Sequence, residues 1–450
     1  MENIIRLNFK KNIIYIYIYI YNMGGGLMQL VAYGAQDIYL TGNPQITFFK
    51  VVYRRYTNFS IQSIRQTFNA QISASGTGGR LSATISRNGD LLYKSYIVLS
   101  NTNGSLATNY GHTSIDYVDV EIGGQRIDRQ YGHFMETWSE LTEENPNRTC
   151  GQLSDQMGTT QLSNYVTHLG SSSNGSFSSM ITFTKFQAMS CAGGVAAPMQ
   201  NITFSSLEQE LYIPLRFWFC KEPGLALPLI ALQYHEVKIT VIFSSALMST
   251  GQQLWCDYVY LDTDERRRFA QVSHEYLIEQ VQLNTFSISS NDTRLNLTLN
   301  FNHPVKELIW NITPHLYFGP GLTDSTFQTI GDKDTTYLLK LNGHDRFEAR
   351  PTYYFTRQQP YQYHTGNSVD MIQGFVNHTP FQNDTIGVYS FCLKPEEHQP
   401  SGTCNFSRID NVEFIINEVS NLTSGNINVY AINYNVLRIM SGMGGLAYSN

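Results

Sequence analysis

Apolar and polar residues alternate along much of the chain at a spacing of two, which is the period of a strand with one buried face. The segments Leu211–Phe219 and Val237–Phe243 both follow this pattern. Pro223, Gly224 and Pro228 lie between them and exclude a continuous helix. We therefore predict two strands joined by a corner, at which the chain passes from one sheet to another.

Similar patterns predict strands elsewhere in the chain. They lie at Phe48–Tyr53, Leu81–Ser86, Tyr96–Leu99, Tyr117–Ile122, Trp255–Asp262, Leu295–Phe301 and Tyr434–Ile439. After the last of these strands, we expect Gly442, Gly444 and Gly445 to release the chain from the sheet.

Two pairs of segments repeat in the same order. Val388–Ile416 resembles Tyr212–Phe243, since each has a Phe-Cys pair predicted to end a strand, a Pro/Gly corner and an alternating strand. Glu121–Gln130 and Lys340–Arg350 are each a strand, a Gly turn and a polar, basic strand. The order of these repeats predicts two copies of one all-β unit.

The length of the chain agrees with two units. Its 450 residues suit two domains of about 200 residues each. We predict a non-native or disordered leader at 1–22, an N-terminal arm at 23–47, a first domain at 48–262, a connector of one or two helical turns at 263–273 and a second domain at 274–450. Abundant Tyr and Phe with 15% charged residues fit strands joined by long polar loops.

The N-terminal leader contains a strict Ile/Tyr alternation. It is shorter than the roughly 20 apolar residues of a membrane helix. The Tyr residues also interrupt the apolar region that a signal peptide needs. Met23 is therefore an alternative start to Met1. A start at Met23 would place Gly24 where N-myristoylation could occur, but Met28 stands at the position where that pattern needs Ser or Thr.

The net charge and the cysteine content limit the binding partners and the compartment that we expect for the chain. The net charge of -6 provides no general basic field, so we expect no direct contact with nucleic acid. Arg54-Arg55 and Arg266–Arg268 are short clusters that we interpret as solvated or interface charges. The six cysteines show neither CxxC nor metal-type spacing with His, which favours free thiols and a reducing compartment.

Fragments of catalytic motifs are incomplete. His235 and His274 each precede a Glu, but Ile239 and Ile278 stand where HExxH needs its second His. Asp262–Asp264 matches a short DxD pattern within the predicted connector. Neither GxSxG nor a Walker A motif is present. We therefore predict no enzyme, no cofactor and no catalytic, cofactor-binding or metal-ligating residues, while a carboxylate pair of the glycosidase type depends on the fold and stays open.

Many N-x-S/T sequons occur in this Asn-rich chain. Asn296 and Asn405 fall in or beside predicted strands, which makes them poor acceptors. Five sequons in loop-like contexts are the candidate glycosylation sites: Asn103, Asn174, Asn291, Asn383 and Asn421.

Several blocks resemble the major capsid proteins of large icosahedral DNA viruses, especially those that infect algae. They begin with QLVAYGAQDIYLTGNPQITFFKVVYRRYTNFS at Gln29–Ser60 and continue in consistent order almost to the end of the chain. Further blocks are EIGGQRID at Glu121–Asp128, PGLALPLIALQYHEVK at Pro223–Lys238, QPSGTCNFSRIDN at Gln399–Asn411 and NYNVLRIMSGMGGLAY at Asn433–Tyr448. The first 22 residues and the loops between blocks depart from the family pattern.

The resemblance implies an all-β fold of two tandem eight-stranded jelly-roll sandwiches with long loops, in a homotrimer that forms a pseudo-hexagonal capsomer. It also implies a place in the virion shell, assembly in the host cytoplasm, and contacts with neighbouring capsomers, minor capsid and penton proteins and, indirectly, an inner viral membrane. In such a subunit, the polar region Glu140–Phe204 would supply loops that face outward. A jelly-roll lectin on a cell surface is the alternative, and a glycan-processing enzyme is the third hypothesis.

Overall fold

The computed structural model describes residues 41–72, 78–102, 110–142, 152–154, 180–182, 209–245, 247, 249–289, 292–313, 330–331, 334–365, 386–418 and 425–448. The chain divides into a unit up to Thr57 and a unit from Asn58 onward. In the described part of the first unit, residues 41–57, no strand is present, so the prediction of a strand at Phe48–Tyr53 is wrong. Phe49 is 98% exposed, and its neighbours have no paired strand to bury them.

The second unit begins with an eight-stranded sandwich. Its strands are β1 (Phe59–Gln66), β2 (Gly79–Thr84), β3 (Leu91–Thr102), β4 (Ile115–Ile122), β5 (Gln125–Tyr131), β8 (Gln209–Pro214), β10 (Val237–Phe243) and β11 (Ser249–Leu261). Sheet 1 has the order β1-β11-β3-β8, with the short strand β9 (Leu227–Pro228) also paired to β3. Sheet 2 has the order β2-β10-β4-β5, and all of these neighbours are antiparallel.

A second sandwich repeats this topology strand for strand. Its strands are β12 (His274–Ile288), β13 (Arg294–Thr298), β14 (Pro304–Thr313), β15 (Thr336–Leu341), β16 (His344–Asp345), β18 (Ile386–Ser390), β20 (Val412–Asn417) and β21 (Gly425–Met440). Sheet 3 has the order β12-β21-β14-β18, and sheet 4 has the order β13-β20-β15-β16. The prediction of two eight-stranded jelly-roll sandwiches is confirmed, because both orders match those of sheets 1 and 2.

The remaining elements are short. Strands β17 (Arg350–Pro351), β19 (Cys404–Asn405) and β22 (Met443–Leu446) pair with β15, β14 and β21, and β6 (Gln152–Ser154) pairs with β7 (Met180–Thr182). The α-helices that lie within the described ranges are α1 (Tyr110–Thr113), α2 (Gly132–Thr142), α3 (Trp218–Lys221), α4 (Thr263–Gln271) and α5 (Gln359–Tyr363). A π-helical turn at Tyr354–Gln358 leads into α5, and 3-10 turns lie at Pro223–Leu225 and Phe406–Arg408.

The predicted repeat of a strand, a Gly turn and a strand is a pair of equivalent hairpins. Strands β4 and β5 are joined by Gly123-Gly124 with φ of 58° and 82°, and β15 and β16 by Asn342-Gly343 with φ of 50° and 80°. A two-residue turn with positive φ at both positions matches the twist of its strands, and Gly and Asn adopt it most easily. The similarity between these two segments of the sequence therefore reflects the geometry of their turns.

The strand predicted at Leu211–Phe219 is too long. It ends at Pro214, which has no N–H for the ladder, and α3 follows almost at once. Phe217, Trp218 and Phe219 are all buried, and one helical turn can bury three successive residues where a strand buries alternate ones. The prediction that the chain passes from one sheet to another at this corner is confirmed, since β8 lies in sheet 1 and β10 in sheet 2.

Two predictions near strand ends also need correction. Strand β13 stops at Thr298, although Leu299 and Phe301 beyond it are buried as their spacing suggested. The glycines after Met440 do not release the chain, because they lie in the hairpin that pairs β21 with β22. Leu437 pairs with Leu446 across this hairpin.

The longest connections leave both sandwiches at one end. Because neighbouring strands are antiparallel, the links from β3 to β4 and from β5 to β8 emerge at the end opposite the tight β4–β5 turn. The links from β14 to β15 and from β16 to β18 do the same in the second sandwich. Within each sandwich, one end therefore carries the long connections and the opposite end carries the tight turn.

Candidate functional site: the junction between the two sandwiches

A helix of the first sandwich lies on a sheet of the second. Helix α2 follows β5 directly and buries Met135 in the core of its own sandwich. Its opposite side packs on the outer face of sheet 3 and forms a separate apolar cluster with it. The buried members of that cluster are Phe134, Trp138, Leu141, Ile309, Ile386, Val388, Tyr430 and Ile432. We call this contact the junction.

Aromatic rings occupy the middle of the junction. Phe134 lies between Trp138 and Tyr430, with ring centroids 5.9 and 5.3 Å away. The amide of Asn311 in β14 donates to Thr137 Oγ1 of the helix at 2.9 Å, deep inside the contact. The aromatic rings bury a large apolar area at the junction, and this hydrogen bond fixes the position of the helix along the strand.

A buried ion network borders the junction. Lys306 of β14 is almost fully buried, and its Nζ lies 2.6 Å from Glu279 Oε1 of β12. Lys221 of the first sandwich binds the other carboxylate oxygen of Glu279, so the network joins both sandwiches. Burial by itself would raise the pKa of Glu279, but Lys221, His398 and Lys306 outweigh it and hold that pKa well below its usual range.

A histidine between two carboxylates extends the polar border. His364 Nε2 lies 3.1 Å from Glu307, and its Nδ1 lies 3.1 Å from Glu396. Burial opposes the charge on the imidazole, yet the two carboxylates outweigh it and raise the pKa of His364 to about 9. The ring also meets the edge of Trp138 at 6.1 Å, which connects this group to the apolar cluster.

Hydrogen bonds between side chains of one sandwich and the backbone of the other complete the contact between them. Asp128 of β5 accepts a bond from the N–H of Val281 in β12 at 3.1 Å. Gln280 of β12 donates to the carbonyl of Ile127 in the first sandwich. Burial raises the pKa of Asp128 to about 6, although hydrogen bonds from Gln130, Val281 and its own strand oppose that shift. Packing, charges and backbone bonds thus hold the two sandwiches in one arrangement.

The C-terminal strand contributes to both cores. The first half of β21 buries Ile427 and Val429 in the second sandwich. Its second half buries Leu437 and Ile439 in the first sandwich. The β21–β22 hairpin then contacts the corner before β10, where the ring of His235 is 2.9 Å from the carbonyl of Gly444.

The outer face of sheet 1 is different from that of sheet 3, because no helix of this chain's described residues covers it. Phe59, Ile61 and Tyr212 on this face are 54%, 52% and 38% exposed. Tyr96 and Trp255 pair in the middle of this face, where Arg65 of β1 is the other neighbour of Trp255, and the rings of Tyr96 and Tyr212 are 6.2 Å apart. We call this surface the open face.

The sequence motifs of catalytic type have structural roles. Asp262 is the N-cap of α4 and accepts a hydrogen bond from Thr263 N at 2.8 Å, so the DxD pattern begins a helix. His274 starts β12, where its Nε2 lies 2.8 Å from the carbonyl of Phe269. His235 lies just before β10, which begins at Val237. Among the described residues, no three His, Cys, Asp or Glu side chains are grouped as a metal site requires.

All five candidate acceptors, Asn103, Asn174, Asn291, Asn383 and Asn421, lie outside the described residues, as do Cys150 and Cys191. Asn296 and Asn405 lie in β13 and β19, as expected.

The four described cysteines, Cys220, Cys256, Cys392 and Cys404, are free thiols, as predicted. Cys220 lies in α3, however, and not at a strand end. Burial raises the pKa of the Cys220 and Cys256 thiols to about 12. No helix in the described ranges combines the length and the apolar character needed to cross a membrane.

The junction is a feature that was not predicted from the sequence. The spacing of Phe134, Trp138 and Leu141 is that of one helix face, and this stripe was the available signal. Lys306 and Glu307 are adjacent charged residues that would ordinarily be assigned to a solvent-exposed turn or strand edge, yet both are buried.

Two family models together match nearly the whole described chain. The model for the large eukaryotic DNA virus major capsid protein matches residues 265–445. The model for the major capsid protein N-terminus matches residues 47–262.

Individual proteins agree with these models. The major capsid protein of Pyramimonas orientalis virus is 46% identical and covers 95% of this chain and 100% of its own length. That of Paramecium bursaria Chlorella virus 1 is 38% identical with the same coverage. The crystal structure of VP54 from PBCV-1 aligns with a TM-score of 0.65 and 34% identity, over 90% of this chain and 100% of that one. The chain therefore belongs to the family of major capsid proteins of large eukaryotic DNA viruses.

Proposed function

We propose that three copies of this chain associate into a pseudo-hexagonal capsomer, and that capsomers tile an icosahedral virion shell. The observation that carries the proposal is the strand-for-strand repeat of one sandwich in one chain. A ring of three such chains presents six similar lobes, so threefold symmetry can serve a sixfold lattice. The lobes of this proposal are residues 48–262 and 274–450, joined through 263–273.

The junction supports this function because a lattice needs subunits of fixed shape. The covered outer face of sheet 3 and the network around Glu279 resist rotation of one sandwich against the other. The end with the long connections would face outward, where chain variation leaves lateral contacts undisturbed. The opposite end would face minor capsid proteins, penton proteins and, through them, an inner membrane.

Self-association in this proposal involves no catalysis. Relatives named as capsid proteins support a structural role, and they give no support to a lectin. Free thiols support assembly in the host cytoplasm, a reducing compartment. Glycans on Asn103, Asn174, Asn291, Asn383 or Asn421 stay predictions, which peptide mass spectrometry of virion protein can test.

Size-exclusion chromatography with light scattering tests the proposal directly. A trimer of this 51.1 kDa chain has a mass of about 150 kDa. That mass, with hexagonal particles of three-fold symmetry in electron micrographs, is the expected result. A chain that stays at 51.1 kDa at micromolar concentration would overturn the trimer.

A further inference from the structure

The two sandwiches have the same topology but differ in what covers their first sheets. On sheet 3, α2 of the preceding sandwich packs on the outer face. The equivalent face of sheet 1 is the open face, and it keeps large apolar side chains in solvent. Large apolar side chains grouped on one exposed face often mark an interaction surface, so the open face has the character of an interaction site.

The open face matches the covered one in layout. In sheet 3, Tyr430 of β21 and Ile309 of β14 lie side by side in the middle of the covered face. In sheet 1, Trp255 of β11 and Tyr96 of β3 are the corresponding neighbours. Each pair puts an aromatic ring on the strand second from the edge. A helix that fits the first face therefore finds similar chemistry on the second.

The second sandwich has its own copy of α2. Residues 352–363 follow β17 as α2 follows β5, and they form a helical segment that includes the π-helical turn and α5. Phe355 points into the core of the second sandwich, as Met135 of α2 points into the core of the first. We call residues 352–363 the second helical segment.

The outer side of the second helical segment is exposed. Tyr361 is 86% exposed and Tyr353 is 36% exposed. The guanidinium of Arg357 lies 3.9 Å from the centre of the Tyr353 ring, so it stacks on this side of the segment. On α2, the corresponding side bears the residues that fill the junction. Among the described residues, the outer side of this helical segment thus has no sheet packed on it, and the open face has no helix packed on it.

We propose that the second helical segment of one copy packs on the open face of the next copy and so repeats the junction between chains. This inference rests on the proposed trimer and names the surfaces that form it. Each copy supplies one surface of each kind, so the contact is head-to-tail. Three such contacts alternate with three junctions and close a ring of six sandwiches.

A second copy fits the open face better than another occupant, because the molecule already contains a contact of this kind. In the junction, a helix from one sandwich covers the first sheet of its neighbour. The same pair of surfaces is what two neighbouring copies would bring together. The competing occupant is the apolar segment at 46–56 from another copy, whose Val52 is 79% exposed.

Charge substitutions on each surface test the contact. Ile61→Asp and Tyr361→Asp place a carboxylate in the proposed interface from either side, while both positions are exposed in the single chain and tolerate the change. Leu393→Asp is the matched control, because Leu393 is 74% exposed in the corner after β18 and lies in neither surface. We expect the first two variants to elute at the monomer mass with unchanged circular dichroism and the control to stay trimeric.

A cysteine pair identifies the neighbours. A Tyr212→Cys chain mixed with a Tyr361→Cys chain should form an interchain disulfide on oxidation, and neither chain alone should do so beyond the background of the native thiols. Trimers that survive both Asp variants would overturn the inference and leave the proposed function standing. Cross-linking of Tyr212→Cys to Val52→Cys in place of Tyr361→Cys would assign the open face to the N-terminal segment and equally overturn it. A monomeric wild-type chain would overturn the proposed function itself and this contact with it.

Discussion

The clearest test of the junction is to remove one buried charge from it. Lys306 is 1% exposed, and its Nζ contacts Glu279 at 2.6 Å and the carbonyl of Glu397 at 3.1 Å. Lys306→Met keeps an unbranched apolar stem of similar volume but removes the cation. Glu279 then keeps Lys221 as a partner while it stays buried without the second cation.

Breaking a buried ion pair by removing one partner costs about 3–5 kcal/mol. Because Lys221 remains, we expect Lys306→Met to fall at the lower end, about 3 kcal/mol. The double variant with Glu279→Gln removes both buried charges and leaves only Lys221, whose side chain is 23% exposed and can turn to solvent, so its loss should be smaller than that of Lys306→Met alone. Such non-additivity is the signature of a coupled pair.

Urea unfolding at pH 7, followed by tryptophan fluorescence, measures both variants. The expected shift of the midpoint for Lys306→Met is on the order of 1 M urea for a chain of this size. Lys394→Met is the matched control, because the pair of Lys394 with Glu397 is largely exposed and should change stability by less than about 1 kcal/mol. A Lys306→Met midpoint within error of wild type, or a double variant less stable than the single one, would refute the reasoning.

Three further predictions concern other buried groups. The pKa of His364 is raised to about 9, so the stabilisation from its charge is complete below about pH 6.5 and is lost as the pH rises through 9. We expect His364→Gln to lower the free energy of unfolding at pH 6.5. The variant should also lose less of this free energy than the wild type between pH 6.5 and pH 9, which urea titrations measure. A Cβ at Gly387 would lie 2.2 Å from the Trp310 ring, so Gly387→Ala should lower the free energy of unfolding by about 1–3 kcal/mol. Cys220 and Cys256 should react with a thiol reagent at pH 8 at a small fraction of the rate seen in urea, because burial raises both thiol pKa values to about 12.

Each of these predictions has its own control. His398→Gln changes a more accessible neighbour of Glu279, and the stability of this variant should still decline as the pH rises towards 9. Gly224→Ala meets no atom within 4 Å and should be neutral, which separates the contact at Trp310 from a general glycine effect. Equal reaction rates of the two thiols in native and unfolded protein would contradict their burial.

Alternation along the chain predicted strands where one face meets a core and the other meets solvent. Strand β10 is such a case, since Val237, Ile239 and Val241 are buried and Lys238 is exposed. The turn residues also predicted the two hairpins, because few amino acids adopt the positive φ that such turns require. Topology followed from the repeat, which sequence comparison within one chain could detect.

The sequence could not predict features that depend on distant partners. Phe217 to Phe219 appeared to continue a strand, but a helical turn buries them against the rest of the first core. Strand β14 carries Lys306 and Glu307, which only the fold supplies with partners at Glu279 and His364. The junction likewise depends on a helix and a sheet that are more than 150 positions apart, where local pattern carries no information.

Strand β21 has a consequence for synthesis of the protein. Its last residues complete the core of the first sandwich, although about 175 residues separate Leu437 from that sandwich's preceding strand β11, which ends at Leu261. During synthesis, a chain of which only the first sandwich has emerged from the ribosome therefore exposes an apolar gap until β21 follows. The first sandwich cannot complete its core without β21, so products truncated before this strand lack a finished subunit and cannot enter a lattice prematurely.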